Sequence, residues 1–124
     1  MRGRKPNLRL VTGGVAGSPP PPSWMAPAAQ AEWRRVVPVL VERRILTVAD
    51  YAALENYCVL IGRSRDAEAR IQEEGDPEIL MKWARLQDKA MCSARLYANE
   101  LGLTPVSRSR PAIDGDDDAD SLLD

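Results

Sequence analysis

The sequence predicts an all-α protein: a kinked first helix, then a long antiparallel helical hairpin that oligomerises, with disordered N- and C-terminal arms. Three observations carry that prediction. Apolar residues recur at steps of three and four through the middle of the chain, and no strand-like alternation or internal repeat competes with them. Helix start and stop signals punctuate the pattern at Pro27, Thr47, Asp76-Pro77 and Leu101-Gly102-Leu103. Charge is pushed to the two ends: residues 1–22 carry four bases and no acid, whereas residues 111–124 carry six aspartates and no base.

Residues 1–23 read as a disordered arm, with a basic start, Gly13-Gly14, and then four prolines at 19–22 that favour an extended spacer. Helical structure is expected over 24–105. Pro27 suits a first helical turn, where its missing N–H costs nothing, and Trp33, Val36, Val37, Leu40 and Val41 form an apolar stripe. Glu32, Arg34, Arg35 and Glu42 are assigned to the opposite face. Pro38 removes one backbone hydrogen bond, so a kink or break is expected there. Thr47-Val48-Ala49-Asp50 resembles a capping box and opens a second helix striped by Leu54, Tyr57 or Cys58, Ile61 and Ile71.

That helix ends near Glu74-Gly75. Asp76 is placed to cap a third helix with Pro77 at its first position, and Ile79 or Leu80, Trp83, Leu86, Ala90, Ala94, Tyr97 and Leu101 form a coiled-coil-like seam. At about 25 residues each, the two long helices would span about 37 Å, and the tight turn makes them antiparallel neighbours. Gly102 is expected in the left-handed position that closes the last helix, with Leu103 folding back and Pro105 forbidding continuation. Residues 106–124 read as a flexible Ser/Arg segment followed by the acidic tail.

A chain of 124 residues with flexible ends has a small core, a size at which stability commonly comes from oligomerisation, metal or disulfides. Metal is disfavoured because the chain has no His and its cysteines, Cys58 and Cys92, stand alone within helical patterns. The lack of a signal peptide points to a reducing cytoplasm and free thiols, and no apolar run is long enough to cross a bilayer. Oligomerisation is left. Its candidate surface is Trp33, Leu54, Tyr57, Ile61, Trp83, Leu86, Ala90, Ala94 and Tyr97, with the small alanines allowing close approach.

Enzyme chemistry finds no support in the residues. Paired carboxylates occur only in the acidic tail, where nothing fixes their separation. The run Thr12-Gly13-Gly14-Val15-Ala16-Gly17-Ser18 has no lysine after its glycines and no flanking strand, so it is a linker rather than a phosphate loop. Asp114-Gly115-Asp116-Asp117-Asp118 lacks the glycine and the terminal Glu of a calcium loop. No cofactor, metal or catalytic residue is expected. Contact with nucleic acid falls instead to Arg2, Arg4, Lys5 and Arg9 of the arm, with Arg34, Arg35, Arg43 and Arg44 as a second patch. Each patch also reads plainly as solvated surface, and copies of the chain would multiply a weak arm. The Leu122-Leu123 pair among aspartates could be a docking segment or part of a solubilising tail.

Four groups of residues, taken in order, resemble the small subunit of a tailed-phage terminase. They are Met1-Arg2-Gly3-Arg4-Lys5-Pro6; Ala31-Glu32-Trp33 with Val37-Pro38; Leu46-Thr47 with Asp50 and Leu54 through Tyr57-Cys58; and Leu101-Gly102-Leu103-Thr104-Pro105 with Ser107-Arg108 and Arg110. The resemblance covers most of the chain, though not the long proline spacer or the Asp-rich end. It implies a ring-forming, non-catalytic protein of phage or prophage origin in the host cytoplasm. Such a protein binds double-stranded viral DNA at the packaging start and recruits and regulates the large subunit, which owns the ATPase and nuclease. The competing expectation is a helical transcriptional or architectural DNA-binding protein, which needs a short helix pair at a steep angle. A metal-dependent nuclease is the weakest alternative.

Overall fold

A computed structural model describes residues 17–105. The basic arm with Arg2, Arg4, Lys5 and Arg9, the Ser/Arg segment and the acidic tail lie outside the described residues.

Among the described residues the regular structure is all helical: α1 (Pro27–Glu42), one 3-10 turn (Val48–Asp50), α2 (Tyr51–Glu73) and α3 (Pro77–Glu100). Pro27 sits in the first turn of α1 as its chemistry favours, and the Gln30 side-chain amide donates to the Met25 carbonyl at 2.8 Å to anchor the entry. The prolines before it are not remote from the fold. The Trp33 indole N–H donates to the Pro19 carbonyl at 2.9 Å and the Met25 N–H to the Pro22 carbonyl at 3.2 Å, so contacts with the helical body begin ahead of residue 24.

Helix α1 runs unbroken through Pro38, so of the kink or break expected there the break does not occur. Both Pro38 and Arg34, whose carbonyl loses its partner, are exposed, so the orphaned oxygen lies on the wetter side of the helix. A second correction concerns Glu32, assigned to the polar face but fully buried beside Trp33, Val36, Val37 and Leu40.

Helix α2 is the shared partner, packed against α1 and against α3. Gly62 makes the α1 contact possible: a Cβ there would lie 2.7 Å from the Ala29 backbone nitrogen. With α3 the register is antiparallel. Asn56 meets Tyr97, Ser64 meets Gln87, and the Arg70 guanidinium lies 5.0 Å from the centre of the Trp83 ring. At 23 and 24 residues these helices span about 35 Å. The side chains of α3 that are fully buried are small, Ala90, Ala94 and Ala98, and they let it lie close to α2. Ala98 completes a buried line that the sequence seam, drawn through Trp83, Leu86 and Tyr97, passed over.

The punctuation residues behave as their chemistry demands. The Asp50 carboxylate accepts from the Thr47 N–H at 2.9 Å and from its hydroxyl at 3.0 Å, and Asp76 accepts from the Glu78 N–H at 2.9 Å. Gly102 takes φ +73°, with Leu103 N–H to Ala98 carbonyl at 2.8 Å and Gly102 N–H to Asn99 carbonyl at 3.2 Å, a Schellman ending.

Helix α1 ends the same way with a worse residue. Arg44 occupies the left-handed position at φ 60°, Ile45 N–H reaches the Leu40 carbonyl at 3.2 Å and Arg44 N–H reaches Val41 at 3.0 Å. A side chain in that conformation costs about 1–2 kcal/mol that glycine avoids. Arg44→Gly is therefore expected to raise stability by about 1 kcal/mol, read as a higher urea midpoint with an unchanged slope. An unchanged or lower midpoint would show that the arginine side chain contributes more than the turn costs.

Candidate assembly and nucleic-acid interface

The most polarised site among the described residues is built around Glu32. Apolar neighbours on α1 carry its carboxylate to the α1–α2 contact, where Arg35 donates to both of its oxygens at 2.9 and 2.6 Å. The Tyr57 hydroxyl donates to the second oxygen at 2.7 Å, and Arg65 stands 3.1 Å from the first. Burial alone would push the Glu32 carboxyl up. The hydrogen bonds from Arg35 and Tyr57 and the charges of Arg35 and Arg65 outweigh burial and hold it below the ordinary carboxylate range. Burial and the Glu32 carboxylate push the Tyr57 phenol up, and burial pushes the neighbouring Cys58 thiol up to about 12.

This arrangement is suited to joining helices. A carboxylate fixed in its charged form, with each oxygen engaged, has neither a proton to give nor a free lone pair aimed at a substrate. The two guanidiniums are half exposed around it, Arg35 from α1 and Arg65 from α2. Cys58 is a buried, unreactive thiol, whereas Cys92 is exposed on α3.

The four arginines read as a second DNA-facing patch are not gathered into one. Arg35 is engaged by Glu32, and Arg43 donates to the Gly102 carbonyl at 3.0 Å, tying the end of α1 to the end of α3. Arg34 is exposed with a long contact of 3.4 Å to Gln30, and Arg44 is exposed at the left-handed turn. The sequence reading missed a better-aligned set on α3. Lys82, Arg85 and Lys89 are exposed, follow one another by three and four residues on one helix face, and make no ion pair with another described residue. Their spacing was visible in the chain; attention to the apolar seam hid it.

The residues assigned to subunit contact divide three ways. Trp33, Leu54 and Tyr57 are enclosed within a single chain, Trp33 edge-on to Tyr51 at 6.3 Å, so they offer no outer face. Ala90 and Ala94 are likewise buried, against α2. Ile61, Trp83 and Tyr97 are half-buried, and Leu86 is 42 % exposed. Leu86 is not isolated: Ile79, Met81, Met91 and Leu96 on α3, with Trp24 and Val48 elsewhere, are large apolar side chains turned to solvent. These exposed apolar side chains are spread around α3, with Ile79 and Leu86 sharing one face.

Among the described residues no helix is long and apolar enough to cross a membrane, and no cluster of side chains is arranged to hold a metal ion. No curated protein sequence and no solved structure gives a significant match to the chain. A family model described as phage terminase, small subunit, matches residues 29–118, which takes in α2, α3, the turn that ends α3 and all but the first two residues of α1. The match spans well over half of the 124 residues, and the chain belongs to the phage terminase small-subunit family, part of the machinery of phage DNA packaging.

Proposed function

We propose that this chain is the non-catalytic, DNA-recognising subunit of a packaging terminase working in the host cytoplasm. Copies assemble into a ring, engage double-stranded viral DNA at the packaging start, and recruit and regulate the large subunit that carries the ATPase and nuclease. The observation that supports this most is the family match over a hairpin whose α3 buries alanines and leaves Ile79, Met81, Leu86, Met91 and Leu96 uncovered. Nothing among the described residues covers them, and a second copy presents matching apolar side chains. The Glu32 centre supports the reading as well, because it ties the N-terminal half of α1, the end that the arm precedes, to Tyr57 and Arg65 of α2. A ring would bring many arms of four positive charges to one duplex.

The test is a salt series of DNA binding with the intact chain and with residues 2–9 deleted. Each phosphate contact contributes roughly 0.9 to the slope of log affinity against log salt, so losing Arg2, Arg4, Lys5 and Arg9 flattens it by up to roughly 3–4 per engaged chain. An unchanged slope would remove the arm from the interface and leave Lys82, Arg85 and Lys89 of α3, with Arg34 and Arg44, as the contact.

A further inference from the structure

An open groove of about 530 Å³ runs between α2 and α3. Val59 and Leu60 from one helix and Leu96 and Tyr97 from the other give it an apolar lining, with Arg63 and Glu100 among its polar walls. Leu96 is 62 % exposed and Asn56 donates to the Tyr97 hydroxyl at 3.3 Å across the groove. Arg63 makes no ion pair with another described residue, and Lys89 is exposed one turn before the groove residue Ser93. The groove thus sets apolar side chains among polar ones and is positive at the end away from Glu100.

We propose that the occupant of this groove is the chain's own C-terminal segment, with Leu122-Leu123 against Val59, Leu60 and Leu96 and the flanking Asp120 and Asp124 toward Arg63 and Lys89. Proximity is the first reason. Helix α3 ends at Glu100, itself a groove residue, and the described residues stop five residues later at Pro105. Residues 106–121 could reach about 53 Å if fully extended, whereas the last turns of α3 span about 10 Å, so the leucines have ample reach and a high effective concentration.

Charge is the second reason. Residues 111–124 carry six aspartates and no base, and Leu122-Leu123 is the one adjacent pair of large apolar residues in them. The other segment outside the described residues with neighbouring apolar side chains, Leu8-Arg9-Leu10-Val11, would set its arginine against Arg63 and Lys89. An acid-flanked leucine pair fits the site and a base-flanked one does not. Docked this way, the tail covers a face of the hairpin that the helices leave bare, and any other apolar segment must displace it to enter.

Exposed Cys92, one turn from Leu96, reports on this directly in the full-length protein, while Cys58 is buried and silent. Ser121→Cys is expected to form a disulfide with Cys92 under mild oxidation, seen by peptide mass mapping. Adding Leu122→Asp and Leu123→Asp keeps the same tether but removes the apolar contact, and the rate should fall roughly tenfold or more. Arg63→Glu should slow it in a salt-dependent way. Equal rates with and without the leucines would mean a tether colliding at random and would overturn the proposal. A Cys92–Cys92 link between copies, with residue 121 left reduced, would overturn it too, because the groove would then be covered by another chain's α3.

Discussion

Gly62→Ala is expected to destabilise the protein by about 1–3 kcal/mol, and its sign is the informative part. In the middle of a helix, glycine to alanine normally gains close to 1 kcal/mol, because glycine loses more backbone freedom on folding. Here the added Cβ would stand 2.7 Å from the Ala29 nitrogen, 3.0 Å from its Cα and 3.1 Å from its Cβ. Two of those atoms are backbone, so no rotamer change relieves the clash, and α1 must move away from α2 as a body. Movement there loosens Trp33, Val37 and Leu40, all essentially buried. For a domain of this size the loss corresponds to a melting temperature lower by roughly 10 °C. Gly75→Ala is the control: nothing lies within 4 Å of its Cβ position, and the change should fall within about 0.5 kcal/mol of the parent. A stabilised Gly62→Ala would mean that the helices do not meet as closely as described.

The second large effect belongs to Glu32→Ala. Breaking a buried ion pair by removing one partner commonly costs about 3–5 kcal/mol. The stranded partners here are Arg35 and Arg65, whose side chains are 62 % and 51 % exposed and can be rehydrated, so a loss of about 2–4 kcal/mol is expected. Tyr57→Phe, which deletes only the hydroxyl that donates to the carboxylate, should cost less, about 1.5 kcal/mol. Chemical denaturation of the three proteins at neutral pH checks the order. The pH dependence is a separate signature. Glu32 is held below the ordinary carboxylate range in the folded state, so its contribution is complete above the unfolded value and drains as pH falls through the lower folded value. Acid should therefore cost the parent protein stability that Glu32→Gln, with no titrating group at that position, does not lose.

Much of the helical frame was legible because its signals are local. Asp76 followed by Pro77 starts α3, Gly102 followed by Leu103 ends it, and both act through backbone groups within a few residues. The tolerance of Pro38 was not legible, since it depends on which side of α1 faces water. Glu32 was hidden for a related reason. An acid two residues before a pair of arginines reads as solvated surface until Tyr57 and Arg65, 25 and 33 residues later, arrive from another helix to complete its coordination. Gly62 carries no local signal of its role, and only the approach of Ala29 gives it a purpose.

The candidate interface shows the same division. The sequence seam named Trp33, Leu54 and Tyr57 for subunit contact because large apolar residues at helical spacing want cover, but it could not say that one chain supplies that cover itself. Leu86 was placed on the seam and turns out largely exposed, with Ile79, Met81, Met91 and Leu96 on the same helix. The basic side chains divide likewise. Arg35 and Arg43 are drawn into contacts with Glu32 and Gly102, which leaves the outward ridge of Lys82, Arg85 and Lys89 as the aligned cations of the described fold.

That copies of this chain gather through the exposed apolar side chains of α3 is the claim on which the packaging reading turns. Light scattering coupled to size exclusion, on the full-length protein at micromolar concentration, measures it most directly. The expected mass is several times 13.7 kDa, falling toward that value when Leu86 and Met91 are both changed to Glu. A parent protein that elutes as a stable 13.7 kDa particle across the concentration range would contradict the account.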